Sequence, residues 1–173
     1  SGKCYYLEAA PTTGASLWTD AAYAWSGNTN TLVSNASAPE TATATAIGWG
    51  YRNTLAMVSQ DATASKAGTI SRAYRGPNNL SDWYLPSFDE LNQMCKWAKG
   101  VAWTSDATVC SGGTINSGVG AAGFGNYDYW SSSDRGTGYG DYARYQWFPT
   151  GIQGWTAKLM TGQNLYVRPI RAF

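Results

Sequence analysis

The chain has 173 residues, room for one domain or at most two small ones. Hydrophobic residues reach 43%, enough for a core. Charged residues are only 13% and sum to +1, a balance that excludes a basic nucleic-acid binder of the usual kind and a polybasic membrane anchor. There is no histidine, which excludes a Ser-His-Asp triad, a Cys-His dyad and a His-ligated zinc or haem site.

Residues 3–8, Lys-Cys-Tyr-Tyr-Leu-Glu, read as a first strand that Ala9-Ala10-Pro11 closes. Residues 12–50 are rich in Thr, Ala, Ser, Asn and Gly. That is long for a plain loop, and Trp18, Trp25 and Trp49 are expected to pin it to the body. Asn53–Gln60 has helix-forming composition, with Asn53 as the expected N-cap. The stretch 62–74 extends that helix or follows it as a second piece.

Asp82–Leu85 reads as a short extended segment. Ser87 followed by Glu90 is a capping box, so a helix is expected from Phe88, with Asp89 favourable at its positive end. Leu91, Met94 and Cys95 then share one face, and Gly100 stops the helix. Residues 111–126 are glycine-rich. Within them Gly118–Gly123 spells GxGxxG, but no strand precedes it and no helical run follows, so no nucleotide site is read there.

Strands are expected at 129–133, 142–148, 153–160 and 165–173, separated by Gly, Pro and Asn turns in the manner of an antiparallel meander. Helices early and strands late make an α+β domain covering 1–173. Trp130, Phe148 and Phe173 are assigned to its core. Val167 and Ile170 make the carboxyl end part of the sheet. At least one of Arg168 and Arg171 is expected to be buried and paired, since a lone buried guanidinium is costly.

The cysteines are Cys4, Cys95 and Cys110, an odd count that leaves at least one unpaired. A Cys95–Cys110 bond would close a short loop and contribute about 3 kcal/mol on the chain-entropy model. The alternative is three reduced, partly buried thiols. There is no CxxC for a redox or zinc site.

Catalytic chemistry finds little footing. The only tight carboxylate pair, Asp89-Glu90, is explained by capping. Asp134 and Asp141 read as turn residues with solvated charges rather than as a glycosidase pair. There is no GxSxG, P-loop, HExxH or EF-hand. No catalytic residue, cofactor or functional metal site is expected. Aromatics reach 14% and concentrate where binding is more plausible than catalysis. On a strand at 142–148, Tyr145 and Trp147 share one face, and Arg144, Gln146 and Phe148 the other. The turn at Gly151 is expected to bring Trp155 and Thr156 back beside Tyr145 and Trp147. Arg135, Tyr139 and Tyr142 precede them. These seven residues, Arg135, Tyr139, Tyr142, Tyr145, Trp147, Trp155 and Thr156, form the candidate ligand-binding face, of a paratope-like composition.

The stretch Asp82-Trp-Tyr-Leu-Pro-Ser-Phe-Asp-Glu-Leu91 resembles the DWYLPSxxEL block of the bacterial DUF1566 (Lcl C-terminal-like) domains. Tyr129-Trp-Ser-Ser-Ser133, Phe148-x-x-Gly151, Gln153, Lys158 and Tyr166-Val-Arg-Pro-Ile-Arg171 resemble their downstream blocks. Tyr6–Pro11 and Asn53-Thr54 resemble upstream ones. The resemblance implies a C-type lectin-like fold with two helices and antiparallel strands concentrated in the C-terminal half. It implies an extracellular or cell-surface adhesin or receptor-binding tip, with a protein or glycan ligand, and it is compatible with a homo-oligomer.

The terminal segment also resembles the variable region of proteins diversified by retroelements. On that analogy Asp134, Arg135, Thr137, Tyr139, Tyr142, Tyr145, Ile152, Thr156 and Leu159 are encodable by adenine mutagenesis, while Trp147 and Trp155 would be template-encoded. No Glu-Pro-Asn, Gln-Pro-Asp or Trp-Asn-Asp is present, so calcium-dependent monosaccharide binding is not expected. The remaining readings are a structural or oligomerisation tip without its own ligand, and a carboxylate-based glycan hydrolase. No run of 18 apolar residues exists, so no membrane insertion is expected. No secretory leader is legible at the amino end, and Ser1-Gly2 suits a domain cut from a longer chain.

Overall fold

Ten elements are laid down in the computed structural model, which describes residues 6–14, 17–33, 44–159 and 165–173. The expectations on 3–5, with Cys4, and on Met160 lie outside the described residues. In chain order the elements are β1 (Leu7–Ala9), β2 (Ala21–Ala22), α1 (Gly50–Gln60), α2 (Ala67–Ala73), α3 (Phe88–Ala98), β3 (Asp128–Asp134), β4 (Tyr142–Trp147), β5 (Gln153–Ala157), β6 (Leu165–Val167) and β7 (Ile170–Ala172). The architecture is α+β.

Helix α3 forms as its local signals dictate. Ser87 is the N-cap, its hydroxyl accepting from the Glu90 N–H at 3.3 Å while the Glu90 carboxylate accepts from the Ser87 N–H at 2.7 Å. Gly100, in the left-handed region at φ +66°, turns the chain away beyond its C-cap.

Among the described residues there are three helices where the resemblance implied two, and of the two readings of 62–74 the separate second piece is the one that forms. The Asp61 carboxylate accepts from the Thr63 N–H at 3.0 Å and from the Gly27 N–H. That local turn competes with helix continuation, so α2 is separate from α1. Asn53 does not cap α1. Trp49 occupies the N-cap position, and Asn53 is buried one turn inside, donating to the Ala44 carbonyl at 2.7 Å and the Ser132 hydroxyl at 3.3 Å. A long-range acceptor has taken the amide that capping would have used. The helix starts earlier because Gly50 lets it approach α3: a Cβ there would lie 2.1 Å from Glu90 Oε2.

The main sheet has the order β2-β6-β3-β4-β5, and β1 pairs with β7 in a separate ribbon. The expected meander holds only for β3-β4-β5. β6 crosses back to lie parallel to β3 and antiparallel to β2. Pro169 divides the expected last strand between the two sheets. Alternation along β3 sends Trp130 into a core with Trp25, Met57, Trp83 and Val167, under α1 and α2. It sends Tyr129 into a second core with Leu91, Met94, Phe148 and Ile170, under α3. Around β3 the sheet is therefore covered on both faces.

Trp18 and Trp25 pin the long early segment through indole N–H bonds to the Val167 and Ser131 carbonyls, at 2.8 and 2.6 Å. Cys95 of α3 is bonded to Cys110. Arg168 is buried and paired with Asp20 at 2.5 Å, and Arg171 pairs with Glu8 at 2.6 Å. Phe173 is not core: its ring is 58% exposed and stacks on Tyr6, centroids 5.9 Å apart. β7 ends one residue earlier, at Ala172. Among the described residues no helix is long and apolar enough to cross a membrane.

Candidate functional site

Hairpin geometry decides which of the seven candidate residues meet. The turn Phe148–Gly151 sets Trp147 opposite Ile152, with the Trp147 N–H donating to the Ile152 carbonyl at 2.8 Å. Gly151 is required there. Its φ is +83°, and a Cβ would fall 1.4 Å from the Cys110 carbonyl oxygen. From that start, pairing proceeds with Gly154 against Tyr145, Trp155 against Arg144 and Thr156 against Ala143.

Directly opposed residues share a face. Trp155 therefore stands with Tyr142 and Arg144, while Tyr145, Trp147 and Thr156 stand on the other side. The expectation of one face carrying Tyr145, Trp147 and Trp155 together is corrected. The parity of the turn, which fixes the register, sends Trp155 to the opposite face.

The structure does bring together Arg135, Tyr139, Tyr142 and Trp155. Arg135 leaves the end of β3, and its N–H bonds the Tyr142 carbonyl at 3.0 Å. Two tight turns follow, Tyr139 N–H to the Gly136 carbonyl at 3.1 Å and Tyr142 N–H to the Tyr139 carbonyl at 3.0 Å. These fold the loop back so that the Arg135 guanidinium carbon lies 3.3 Å from the Tyr139 ring centroid, 4.1 Å from that of Trp155 and 5.6 Å from that of Tyr142. Tyr139 is 46% and Trp155 50% exposed. Among the described residues no carboxylate pairs with Arg135. The guanidinium is thus positioned by stacking, with its N–H fork unclaimed by an acid. Arg144 lies beside it, its guanidinium 5.2 Å from the Phe88 ring and its buried Nε without an acceptor among the described residues.

The base of this loop is clamped by a pair the sequence reading misjudged. Asp134 and Lys158 are both fully buried, with Asp134 Oδ2 2.6 Å from Lys158 Nζ. Asp134 also accepts from the Val33 N–H at 3.1 Å, and Lys158 donates to the Thr31 carbonyl at 2.8 Å. Burial pushes the Lys158 ammonium down from its ordinary value, and the Asp134 carboxylate opposes that shift. Asp134 is therefore neither a solvated turn residue nor a freely variable position. The signal available was its place at the end of β3, whose inward residues all lead to core; no local pattern pointed to Lys158.

On the other face Tyr145 packs against the first core, its ring lying over Gly154. Burial, and to a smaller extent the Asp128 carboxylate, push its phenol up. Trp147 is 40% exposed and sits opposite Asp128, whose carboxyl burial pushes up. Asp141, at the far end of the Arg135 loop, is exposed; its carbonyl accepts from the Lys158 N–H at 2.9 Å, and its carboxylate joins that of Asp134 in acting on the Lys158 ammonium. Gly118–Gly123 lies in irregular chain between α3 and β3. Among the described residues no three His, Cys, Asp or Glu side chains converge as metal ligands. Comparison with family models, with curated proteins and with solved structures returns no match.

Proposed function

We propose that this domain is an extracellular or surface-displayed ligand-binding module with a C-type lectin-like fold. Its β4–β5 hairpin and the preceding loop present Arg135, Tyr139, Tyr142 and Trp155 to a protein or glycan ligand. The observation that carries this reading is the Arg135 guanidinium stacked against two half-exposed rings with no acidic partner among the described residues. Stacking fixes a rotamer-rich side chain before any ligand arrives, so less entropy is lost on binding. Tyr, Trp and Arg are also the residue types in which binding energy concentrates. The rigid base formed by Asp134 and Lys158 supports the same reading, because it lets the loop above vary without disturbing the sheet.

Retroelement diversification belongs to this proposal in amended form. Ile152 and Leu159 are exposed, as is Thr137, and they join Arg135, Tyr139 and Tyr142 as positions free to change. Asp134 leaves the set. Tyr145, Trp147 and Thr156 belong to a separate surface.

The test is a glycan microarray together with flow cytometry on intact bacterial cells, using wild type and the Tyr139→Ala/Trp155→Ala double variant. The double variant is expected to lose about 2 kcal/mol or more of binding while its melting temperature stays close to that of wild type. Undiminished binding by the double variant would move the site elsewhere. A sedimenting oligomer that the same double variant dissociates would favour the structural-tip reading instead.

A further inference from the structure

A second cavity shares no residue with the Arg135 cluster. Glu90, Gln93, Met94 and Trp97 are spaced i, i+3, i+4 and i+7 and so lie on one face of α3. Together with Leu7 and Ala9 of β1 and Ile170 of β7 they enclose about 140 Å³. Most of that wall is apolar, and its two polar members are Glu90 and Gln93. Gln93 Nε2 is buried and has no acceptor among the described residues. Such an orphaned donor in a folded protein asks for a partner.

The Glu90 carboxylate accepts from the Gly48 N–H at 2.9 Å, the Ser87 N–H at 2.7 Å and the Tyr84 hydroxyl at 3.3 Å. A carboxylate has about four acceptor positions, so among the described residues one is left. Leu7, Ala9 and Trp97 also border a groove of about 420 Å³, whose other walls include Tyr6, Thr12, Thr13, Arg168 and Phe173. The cavity and the groove therefore adjoin at Leu7, Ala9 and the Trp97 ring, which is 39% exposed.

We propose that this cavity and groove bind an N-acetylated amino sugar. The acetamido group supplies what the cavity lacks. Its carbonyl accepts from Gln93 Nε2, its N–H donates to Glu90, and its methyl fills the space between Leu7, Met94 and Ile170. The pyranose ring lies against Trp97, and neighbouring sugars follow the groove toward Tyr6 and Thr12. A water molecule would meet Gln93 and Glu90 but would leave the apolar wall wet. A free amine brings no acceptor for Gln93. An acetylated lysine side chain carries the same acetamide but no ring for Trp97 to stack on.

The test uses the whole chain with three probes: the N-acetylglucosamine trimer, its fully de-N-acetylated counterpart and free Nε-acetyl-lysine. Calorimetry measures affinity, and saturation-transfer NMR reports which ligand protons touch the protein. The acetylated trimer is expected to bind saturably, with its acetyl methyl most strongly saturated, and the deacetylated trimer to bind at least about tenfold more weakly. Gln93→Met, which keeps volume and removes the donor, should weaken the trimer about tenfold or more at an unchanged melting temperature, and Trp97→Ala should weaken it as much while the domain stays folded, its melting temperature lowered by the lost bond to the Val119 carbonyl and the lost packing on Phe124. Should Gln93→Met fail to fold, Trp97→Ala and the methyl saturation carry the test. Absence of saturable binding, equal binding of both trimers, or indifference to the variants would overturn the proposal. Acetyl-lysine binding as tightly as the trimer would overturn the sugar assignment.

Discussion

Replacing Asp134 by Ala probes the clamp beneath the Arg135 loop. The change removes an ion pair of 2.6 Å between two fully buried groups and strips the buried Val33 N–H of its acceptor. Lys158 is left with the Thr31 carbonyl at 2.8 Å and the Trp25 ring centroid at 4.9 Å. Breaking one side of a buried pair costs about 3–5 kcal/mol. The retained Thr31 bond lowers the figure and the orphaned Val33 N–H raises it, which places the loss near 4 kcal/mol. For a domain of this size that is a fall of roughly 8–16 °C in melting temperature. Urea unfolding of wild type, Asp134→Ala, Lys158→Met and the Asp134→Leu/Lys158→Met double variant closes a thermodynamic cycle. The double variant removes both charges and should recover to within about 2 kcal/mol of wild type. The reasoning fails if Asp134→Ala costs less than about 1 kcal/mol, or if the two single losses simply add.

Three further outcomes are expected. Ser87→Ala removes the N-cap acceptor of α3 and should cost about 1 kcal/mol in chemical denaturation. Peptide mapping without reduction should recover Cys95 linked to Cys110, and reduction should lower stability by about 3 kcal/mol for the 15-residue separation; free thiols at both positions in oxidised protein would contradict the pairing. Burial pushes the Asp61 carboxyl up, but hydrogen bonds from Thr63, Gly27 and Ser26 outweigh it and hold the group at about 2, below its ordinary 3.8. Its stabilisation is then present above pH 3.8 and is lost as pH falls toward 2, so Asp61→Asn should flatten that part of the acid-unfolding profile.

Features written in neighbouring residues were legible in the sequence. The Ser87–Glu90 box sits within one turn, and α3 begins where it says. At least one of Arg168 and Arg171 could be assigned an acidic partner in kind, because a lone buried guanidinium is costly, although Asp20 and Glu8 could not be named. What escaped depended on register or on distant chain. The face of Trp155 follows from the parity of the Phe148–Gly151 turn, which alternation within each strand does not fix. β2 has only Ala21 and Ala22, too short for any periodic signal. Asn53 has a capping residue's chemistry but found Ala44 and Ser132. Of the candidate site, the structure brings together four of the seven residues named from the sequence, Arg135, Tyr139, Tyr142 and Trp155; their stacking around the guanidinium and the support from Lys158 were not legible.

The position of β6 between β2 and β3 also governs the order in which this protein is assembled. The hairpins β3-β4 and β4-β5 join neighbours and can zip early, since closing a short loop costs little entropy. One flank of β3 then stays open until Leu165–Val167 inserts, and β2 has no main-sheet partner before that event. The β1–β7 ribbon, joining Leu7 to Ala172, closes last of all by the same logic. A half-built sheet with an unsatisfied apolar edge is the species from which chains stick to one another. During synthesis or refolding, the interval before the final strands dock is therefore the period of greatest vulnerability.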